Sequence, residues 1–253
     1  MVSSSRSRMI EFSTLETKCS YLDGCKTRMA YKYIEKASLE LNQALVERGW
    51  RRFGNYYSRP QCHGCNACLS LRIDVKNYHF SRSAKRAFKK AEGIRYVIQS
   101  PSVSNEHLEL YDKYHRFMET KRGWQYYFLK PQTYHELYVS GANSYGKEIL
   151  YFYEERLIGV DLVDFLEDGI SSIYFFYDPD FAHLSLGRLS IYEQIMLAKE
   201  YQREWIYLGY YVENCQSLKY KASYTLYRDW ETDRKSTRLN SSHSGESRMP
   251  SSA

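Results

Sequence analysis

Residues 148–177 read EILYFYEERLIGVDLVDFLEDGISSIYFFY. Three runs rich in aromatic and β-branched residues are separated by two short polar segments, Glu154-Glu155-Arg156 and Glu167-Asp168-Gly169. Runs of this composition favour β-strands, and polar connections this short are typical of hairpins between neighbouring antiparallel strands. We therefore predict three sequential antiparallel strands, over residues 148–154, 157–166 and 171–177.

The segments on either side of these strands alternate between helix and strand patterns. Apolar residues with the spacing of one helix face, with a cap at Ser81 or Ser83 and a stop at Gly49, predict helices over 32–47, 81–91, 106–121 and 186–202. Shorter patterns predict strands over 51–57, 69–75 and 205–210, and a helical turn or strand over 218–227. This order predicts an α+β class with a mixed, mainly antiparallel sheet, an order shared by acetyltransferase-like folds.

Composition divides the chain into three parts. A boundary near Ser100-Pro101 separates an N-terminal domain over 1–100, with the cysteine cluster and a basic helix, from an acetyltransferase-like domain over 101–230. Residues 231–253 contain seven serines and no Phe, Trp or Tyr, a texture that does not support packing on the same core. We predict that they form a disordered tail. We hypothesise that this tail is a foreign appendage, because DRKSTRLNSSHSGES resembles translated cloning DNA.

The overall composition is that of a soluble globular protein. The 253 residues are 43% hydrophobic and 26% charged, with 36 Lys+Arg against 30 Asp+Glu and hence a formal net charge of +6. No run approaches the ~18 apolar residues of a membrane span, and residues 1–8 lack the apolar core of a secretory signal. We therefore expect a cytoplasmic protein with no membrane partner. The 26 tyrosines stand out, and tyrosine suits wet grooves and interfaces as well as cores.

Five of the six cysteines lie in the first third of the chain. Cys62, Cys65 and Cys68 are separated by two residues each, a spacing that lets a loop bring successive thiolates to one ion at ~2.3 Å. Cys19 is the first choice for a fourth ligand, and Cys25 or His63 is the alternative. Zinc and an iron–sulfur cluster fit these ligands about equally. Inert buried thiols are the competing explanation, which we prefer for Cys215.

Residues 76–90 read KNYHFSRSAKRAFKK, with six basic residues and no acidic one. On a helix, residues three or four positions apart lie on the same side, so the basic residues of this segment form one stripe along it. A cationic stripe beside aromatic residues is typical of a surface that neutralises phosphates and stacks bases, although a solvated surface helix is the plain alternative. We predict that this stripe contacts nucleic acid through Arg82, Lys85, Arg86, Lys89 and Lys90.

Short motifs also occur in a fixed order along most of the chain. They are Cys19-Ser20-Tyr21-Leu22, Gly49-Trp50-Arg51-Arg52-Phe53-Gly54, Tyr57-Ser58-Arg59-Pro60-Gln61-Cys62, Cys68-Leu69-Ser70-Leu71-Arg72-Ile73, Phe80-Ser81-Arg82-Ser83, Tyr177-Asp178-Pro179-Asp180, Ser185-Leu186-Gly187, Tyr207-Leu208-Gly209-Tyr210 and Tyr220-Lys221-Ala222. Each piece is modest, but the ordered set is specific. It resembles the aminoacyl-tRNA–protein transferases, in particular the bacterial aspartate/glutamate leucyltransferase branch, which is related to the arginyltransferases.

The resemblance implies an activity and two partners. Members of this family move an amino acid from aminoacyl-tRNA onto the N-terminal residue of a protein and so mark it for degradation. The bacterial branch implies leucine as the donor amino acid and an acidic N-terminus, Asp or Glu, on the acceptor; arginine is the alternative donor. An aminoacyl ester is already activated and an α-amine has a pKa of ~7.7–8.0, so we expect no cofactor for the chemistry.

Site residues follow from the same resemblance and from the chemistry. An acidic acceptor requires cations, and the candidates are Arg51, Arg52, Arg59, Lys219 and Lys221, among which Arg52 and Lys221 are preferred. The 3′ end of the tRNA is expected beside the helix start at Ser185 and Gly187. Tyr177, Asp178 and Tyr210 are candidates for orienting the amine or relaying a proton, although core packing and a turn cap explain them as well. Asp161 or Asp164 becomes a candidate base if it is buried.

Two other functions remain open at this point. An N-acetyltransferase that uses acetyl-CoA shares the C-terminal fold but gives no reason for the basic helix or the cysteines. A non-catalytic, zinc-bearing nucleic-acid-binding protein explains those two features but not the second domain.

Overall fold

A computed structural model describes residues 8–224 of the chain. Within them the strands are Met9–Ser13 (β1), Thr17–Lys18 (β2), Lys26–Thr27 (β3), Met29–Ile34 (β4), Arg51–Phe53 (β5), Tyr56–Pro60 (β6), Leu69–Asp74 (β7), Ile94–Gln99 (β8), Gly146–Tyr153 (β9), Arg156–Phe165 (β10), Gly169–Tyr177 (β11) and Trp205–Tyr211 (β12). The α-helices are Leu39–Glu47 (α1), Arg82–Lys90 (α2), Asn105–Arg122 (α3), Pro131–Tyr134 (α4) and Leu186–Glu200 (α5). A π-helical turn, His135–Val139, continues α4, and 3₁₀ turns cover Pro179–Leu184 and Lys219–Ser223.

The largest sheet has six strands in the order β7-β12-β11-β10-β9-β8. Strands β9, β10 and β11 form the predicted meander, with antiparallel pairing throughout. Helix α5 carries the chain from β11 to β12, which lies parallel to β11 and antiparallel to β7. The sheet is therefore mixed and mostly antiparallel, which confirms the predicted α+β class.

Two layers of helices enclose this sheet, because its central strand is apolar on both faces. Strand β10 is buried at eight consecutive positions from Leu157 to Asp164. One face packs against α5 and α2 through a cluster that includes Ile158, Val163, Ile195 and Ala87. The other face packs against α3 and α4 through a cluster that includes Val160, Leu110 and Tyr134. Each large apolar side chain buried in this way contributes about 1.5–3 kcal/mol.

A second sheet has four antiparallel strands in the order β1-β4-β6-β5. Helix α1 packs against one face of it through a cluster that includes Ile34, Leu45, Trp50 and Tyr57. A third sheet, the hairpin of β2 and β3, carries Cys19 and Cys25 in its connection. We refer to the four-stranded unit as the small sheet.

The predicted helix over 32–47 is wrong in its first part. Residues 32–34 belong to β4, which pairs with β1 on one side and β6 on the other, and this pairing outweighs the helical spacing of Tyr33 and Ile34. The helix begins only after Ser38, whose hydroxyl accepts a hydrogen bond from the Leu41 amide at 3.2 Å. Strands β1 and β8 were not predicted, since both are edge strands with little buried surface.

The predicted strand over 51–57 is a hairpin of β5 and β6. Gly54 makes the turn with φ +58°, and a Cβ there would lie 1.9 Å from the Glu136 carbonyl oxygen of the π-helical turn. Only glycine fits that position. The hairpin can therefore approach the large sheet closely, and it carries Arg51 and Arg52 to the junction.

Helices α2, α3 and α5 lie where the sequence predicts them, and Ser81 caps α2 by accepting from the Ala84 amide. The boundary near residue 100 follows β8 directly, and both β7 and β8 belong to the six-stranded sheet. Within residues 8–224, none of the helices has the length and apolar character that crossing a membrane requires. The predicted tail over 231–253 lies outside the described residues.

Candidate active site

The two parallel strands of the large sheet separate after three residue pairs. Strands β11 and β12 pair only from Gly169 with Trp205 to Ser171 with Tyr207, although both continue further. A bulge interrupts each strand at this point: Ile173 has no partner on β10, and Leu208 has none on β7. Bulges leave backbone groups outside the hydrogen-bonded ladder and are frequent beside active sites. We call the resulting opening the strand gap.

Two cationic side chains bind the backbone carbonyls at this gap. Arg51 of β5 donates from Nη2 to the Ser172 carbonyl oxygen on β11. Lys221 of the last 3₁₀ turn donates from Nζ to the carbonyl of the bulged Leu208, at 2.7 Å. Gly209 has φ +78°, and a Cβ there would lie 2.5 Å from the Arg51 Cζ. Arg51 therefore lies against bare backbone, which any larger residue at 209 would obstruct.

Neither cation has a carboxylate partner among the ion pairs of residues 8–224. Burial lowers the pKa of the Arg51 guanidinium. Burial and the nearby charge of Arg51 lower the pKa of Lys221 to about 7. Two partly buried cationic groups that repel each other and take part in no ion pair favour the binding of an anion, because its charge would relieve both the desolvation and the repulsion.

The structure gives Arg52, a candidate for the acceptor, a different partner. Arg52 is buried, and it donates to both carboxylate oxygens of Asp164, at 2.8 and 2.6 Å, and to the Gly54 carbonyl. Asn42 of α1 donates to the same carboxylate at 3.0 Å. Arg51 and Arg52 are neighbours in an extended strand, so they point to opposite faces. Only Arg51 reaches the strand gap, while Arg52 links the two sheets.

Both aspartates of the middle strand are buried, but their surroundings differ. Asp164 is neutralised by Arg52. Asp161 accepts from Ser190 Oγ at 2.6 Å and Gln194 Nε2 at 2.8 Å, and its Oδ1 has no hydrogen-bond partner among the described residues. Burial raises the pKa of Asp161 to about 7. Burial and the charge of Asp161 raise the pKa of Tyr220, so the Tyr220 hydroxyl lies in the vicinity of that carboxylate. Of the two carboxylates, Asp161 is the candidate base.

The three residues considered for orienting the amine or relaying a proton have other partners. The Tyr210 hydroxyl donates to the Gly49 carbonyl at 2.6 Å, and burial raises its pKa. Asp178 caps the turn Pro179–Leu184 and forms ion pairs with Lys113, at 2.6 Å, and Arg156. Tyr177 and Asp178 lie five and six residues beyond Ser172, ~17–20 Å along the strand. The turn cap, which the sequence left open as the alternative, accounts for the contacts of Asp178.

The remaining acceptor candidates lie away from the gap. Arg59 lines an open groove of about 370 Å³ beside β1 and stacks 5.0 Å from the Trp50 ring, while donating to the Arg48 carbonyl. Lys219 begins the last 3₁₀ turn and is exposed. The structure thus brings together only Arg51 and Lys221 from the predicted set. A glycine inside the apolar run Tyr207–Tyr211 was the one sequence signal for the bulge that leaves Leu208 without a partner on β7.

The residues expected to contact tRNA do come together. Helix α2 buries Ala84 and Ala87 against α5 and exposes its cations, which are Arg82, Lys85, Arg86, Lys89 and Lys90. None of those five takes part in an ion pair within the described part of the chain. Arg188 of the first turn of α5 hydrogen-bonds Ser83 at 3.3 Å, next to Ser185 and Gly187. The cationic stripe and the start of α5 therefore form one surface.

The cysteine cluster is only partly assembled. Burial and the charges of Cys62, Cys19 and Cys65 raise the pKa of the Cys68 thiol to about 12, so the four thiols lie in one neighbourhood. All of them are free and partly exposed. Across residues 8–224, however, no three His, Cys, Asp or Glu side chains are arranged to hold a metal ion. The donor chemistry fits a metal, whereas the present arrangement of the thiols does not, and no reaction step is assigned to one.

Two family models and several known proteins match the chain. Residues 17–86 match the model of the arginine-tRNA-protein transferase N terminus, and residues 106–230 match that of the C terminus. An aspartate/glutamate leucyltransferase of Campylobacter jejuni is 53% identical over 216 residues, which cover 85% of this chain and 90% of the relative. One of Helicobacter hepaticus is 42% identical over 218 residues, covering 86% and 90%. Among solved structures, FemX matches with a TM-score of 0.46 and 6% identity, over 90% of this chain and 84% of that chain.

Proposed function

The chain belongs to the arginine-tRNA-protein transferase family, and from this premise we propose that it transfers leucine from leucyl-tRNA to the α-amine of proteins that begin with Asp or Glu. Leucine and the acidic acceptors follow from the names of its relatives. The single observation that carries the acceptor side is the pair Arg51 and Lys221, which meet at the strand gap without a carboxylate. Marking of the acceptor for degradation in the cytoplasm is part of the same proposal.

Arg51 is the residue that we assign to the acidic side chain of the acceptor. Its guanidinium is permanently charged and binds a carboxylate through paired N–H groups. A carboxylate arriving at the gap would neutralise a partly buried cation whose hydrogen-bond partner is otherwise a backbone carbonyl. A lysine or alanine N-terminus would leave that cation uncompensated, and this difference supports discrimination between acceptors.

The reaction is aminolysis of an ester. The acceptor α-ammonium loses a proton, its nitrogen attacks the ester carbonyl carbon, a C–N bond forms, and the C–O bond to the terminal ribose breaks. The ribose hydroxyl leaves with a proton. We assign the first proton transfer to Lys221, since a pKa of about 7 leaves part of its amine neutral at pH 7. Asp161 has a similar pKa but is fully buried, so we do not assign the proton transfer to it; the hydrogen bonds that it accepts from Ser190 and Gln194 hold α5 against β10.

The donor side is assigned to the surface formed by α2 and the start of α5. Five exposed cations there suit the phosphates of the tRNA, and the amides that begin a 15-residue helix add to the same field. In this proposal the domain over 101–230 is acetyltransferase-like and its strand gap is the reaction chamber. Residues 1–100 supply Arg51, the basic helix and the cysteines.

The cysteine cluster is assigned a structural task only. Cys19, Cys62, Cys65 and Cys68 would hold zinc or an iron–sulfur cluster and so stiffen the loop between β6 and β7. The spacing of Cys62, Cys65 and Cys68 supports this assignment, and the thiols would have to come closer together than they lie here to hold the ion.

One assay tests the function. Labelled leucyl-tRNA or arginyl-tRNA is mixed with peptides that begin with Asp, Glu, Lys or Ala, and transfer is followed by release of label into peptide. We expect leucine to reach the Asp and Glu peptides only, and Arg51→Met to lose this selectivity. Absence of transfer to acidic peptides, together with acetyl transfer from acetyl-CoA, would establish the rival N-acetyltransferase. Binding of RNA without any transfer would favour a non-catalytic protein.

A further inference from the structure

One face of the small sheet is lined with aromatic side chains. The strand registers place Phe12 opposite Tyr31 and Tyr33 opposite Tyr56, and paired residues of antiparallel strands share a face. Ile10, opposite Tyr33, lies on the same side. We call these five residues, Ile10, Phe12, Tyr31, Tyr33 and Tyr56, the aromatic face.

The rings of this face are ordered against each other and open to solvent. Phe12 stacks on Tyr31 with ring centroids 5.2 Å apart and planes at 10°, while Tyr33 meets Tyr56 edge-on at 5.1 Å. Ile10, Phe12 and Tyr56 are 48%, 46% and 44% exposed. Helix α1 covers only the opposite face, through the cluster that contains Tyr57 and Trp50. Exposed aromatic residues grouped in this manner mark an interaction site.

The aromatic face leads directly to the strand gap. Phe12, Tyr31, Ser58 and Arg51 form one row across the four strands, since each is the registered partner of the next. In the adjacent row, Phe53 packs against Tyr138 of the π-helical turn, where the small sheet meets the large one. Three strand spacings separate Phe12 from Arg51, ~14 Å in all. A ligand lying on the face would therefore reach the candidate active site at its inner end.

We propose that the aromatic face is the docking surface for the unpaired nucleotides at the 3′ end of the aminoacyl-tRNA, an inference that rests on the proposed function. Bases stack on aromatic rings without regard to sequence, and the hydroxyls of tyrosine add hydrogen bonds to base edges or riboses. A stacked strand advances ~3.4 Å per nucleotide, so ~14 Å accommodates about four. The terminal ester is thereby brought to Arg51 and the gap. We therefore place the 3′ end here rather than beside Ser185 and Gly187, and leave α2 and the start of α5 to the phosphates of the paired stem.

The test compares two RNA hairpins that carry the tRNA acceptor stem, one with its unpaired 3′ end and one without it. Binding of each is measured by fluorescence anisotropy at a fixed salt concentration, with the full-length chain. The variant is Phe12→Ala combined with Tyr56→Ala, two exposed side chains whose removal leaves the core intact. The matched control is Met9→Ala, which is 52% exposed and lies on the same strand as Phe12 but points to the opposite face.

We expect the wild type and Met9→Ala to bind the hairpin with the 3′ end more tightly than the one without it. The double variant should lose about tenfold of that preference and keep the affinity for the stem alone. Thermal unfolding of all three proteins checks that the fold is retained. An unchanged preference in the double variant overturns the proposal. So does a variant that binds both hairpins like the wild type but raises the KM for the acidic peptide, since the face would then receive the protein substrate.

The failure of the proposed function is seen separately. Wild-type transfer of leucine to an acidic peptide is measured in parallel, and its absence would refute the proposed function whatever the hairpins show. Normal transfer together with equal hairpin preferences would refute only the docking surface.

Discussion

The buried ion pair between Arg52 and Asp164 yields the sharpest prediction for stability. It joins β5 of the small sheet to β10 of the large sheet, and the exposed fractions of its two side chains are 2% and 0%. Arg52→Met removes two hydrogen bonds to the carboxylate and leaves Asp164 buried, with Asn42 as its remaining partner. An uncompensated buried charge of this kind costs about 3–5 kcal/mol.

Asp164→Leu should be comparably harmful, because it leaves the Arg52 guanidinium buried with the Gly54 carbonyl as its one remaining hydrogen-bond partner among the described residues. The double variant Arg52→Met/Asp164→Leu removes both charges. It should therefore be more stable than either single variant. The double variant should then lose several kcal/mol less free energy of unfolding than the sum of the two single variants, and this difference is the coupling energy of the pair. Urea unfolding monitored by tryptophan fluorescence measures the free energy of unfolding of all four proteins.

The exposed pair Arg95–Glu155 provides the control. Its atoms are 3.9 Å apart and its side chains are 55% and 98% exposed, so Arg95→Met should cost no more than about 1 kcal/mol. If Arg52→Met cost as little as Arg95→Met, or if the single effects in the cycle simply added, the buried pair would not be the link between the sheets that we infer.

Three further predictions concern charge and metal. Lys221→Met should flatten the pH dependence of stability. The pKa of this lysine is near 10.5 in the unfolded chain and about 7 in the folded protein. Between these values the unfolded chain binds more protons, so the free energy of unfolding of the wild type rises with pH, by at most ~1.4 kcal/mol per pH unit. Urea unfolding at pH 6.5 and 9.5 measures the free energy of unfolding of the wild type and the variant. If Lys221→Met changed this free energy by the same amount at both pH values, the prediction would be contradicted. Charge reversal on α2 should weaken tRNA binding and reduce its dependence on salt, because fewer counterions are released; an unaltered salt slope would exclude contact through Arg82, Arg86 and Lys89. Cys62→Ser with Cys65→Ser should abolish bound zinc or iron in elemental analysis, and metal-free wild-type protein from native expression would rule out the site.

The sequence predicted local structure well wherever one local pattern determines it. The meander of β9, β10 and β11 follows from apolar runs and polar turns, and α2 follows from its cap at Ser81. Edge strands such as β1 carried no such pattern, because they are held by hydrogen bonds to β4 rather than by burial. Residues 32–34 satisfied the helical period and still became a strand, since pairing with two neighbours outweighed it.

The family, the sheet class and the candidate residue types were thus readable from the chain itself, as were the cysteine spacing and the basic stripe. Only the tertiary structure decided which candidates meet. Arg51 and Arg52 are equivalent in sequence, yet one points to the strand gap and the other into an ion pair, because adjacent residues of a strand face opposite sides. Asp161 and Asp164 likewise lie on opposite faces of their strand, so Asp164 binds Arg52 while Asp161 binds Ser190. Four of the abundant aromatic residues form one exposed face with Ile10 only because β1, β4 and β6 pair in a particular register, which no single segment contains.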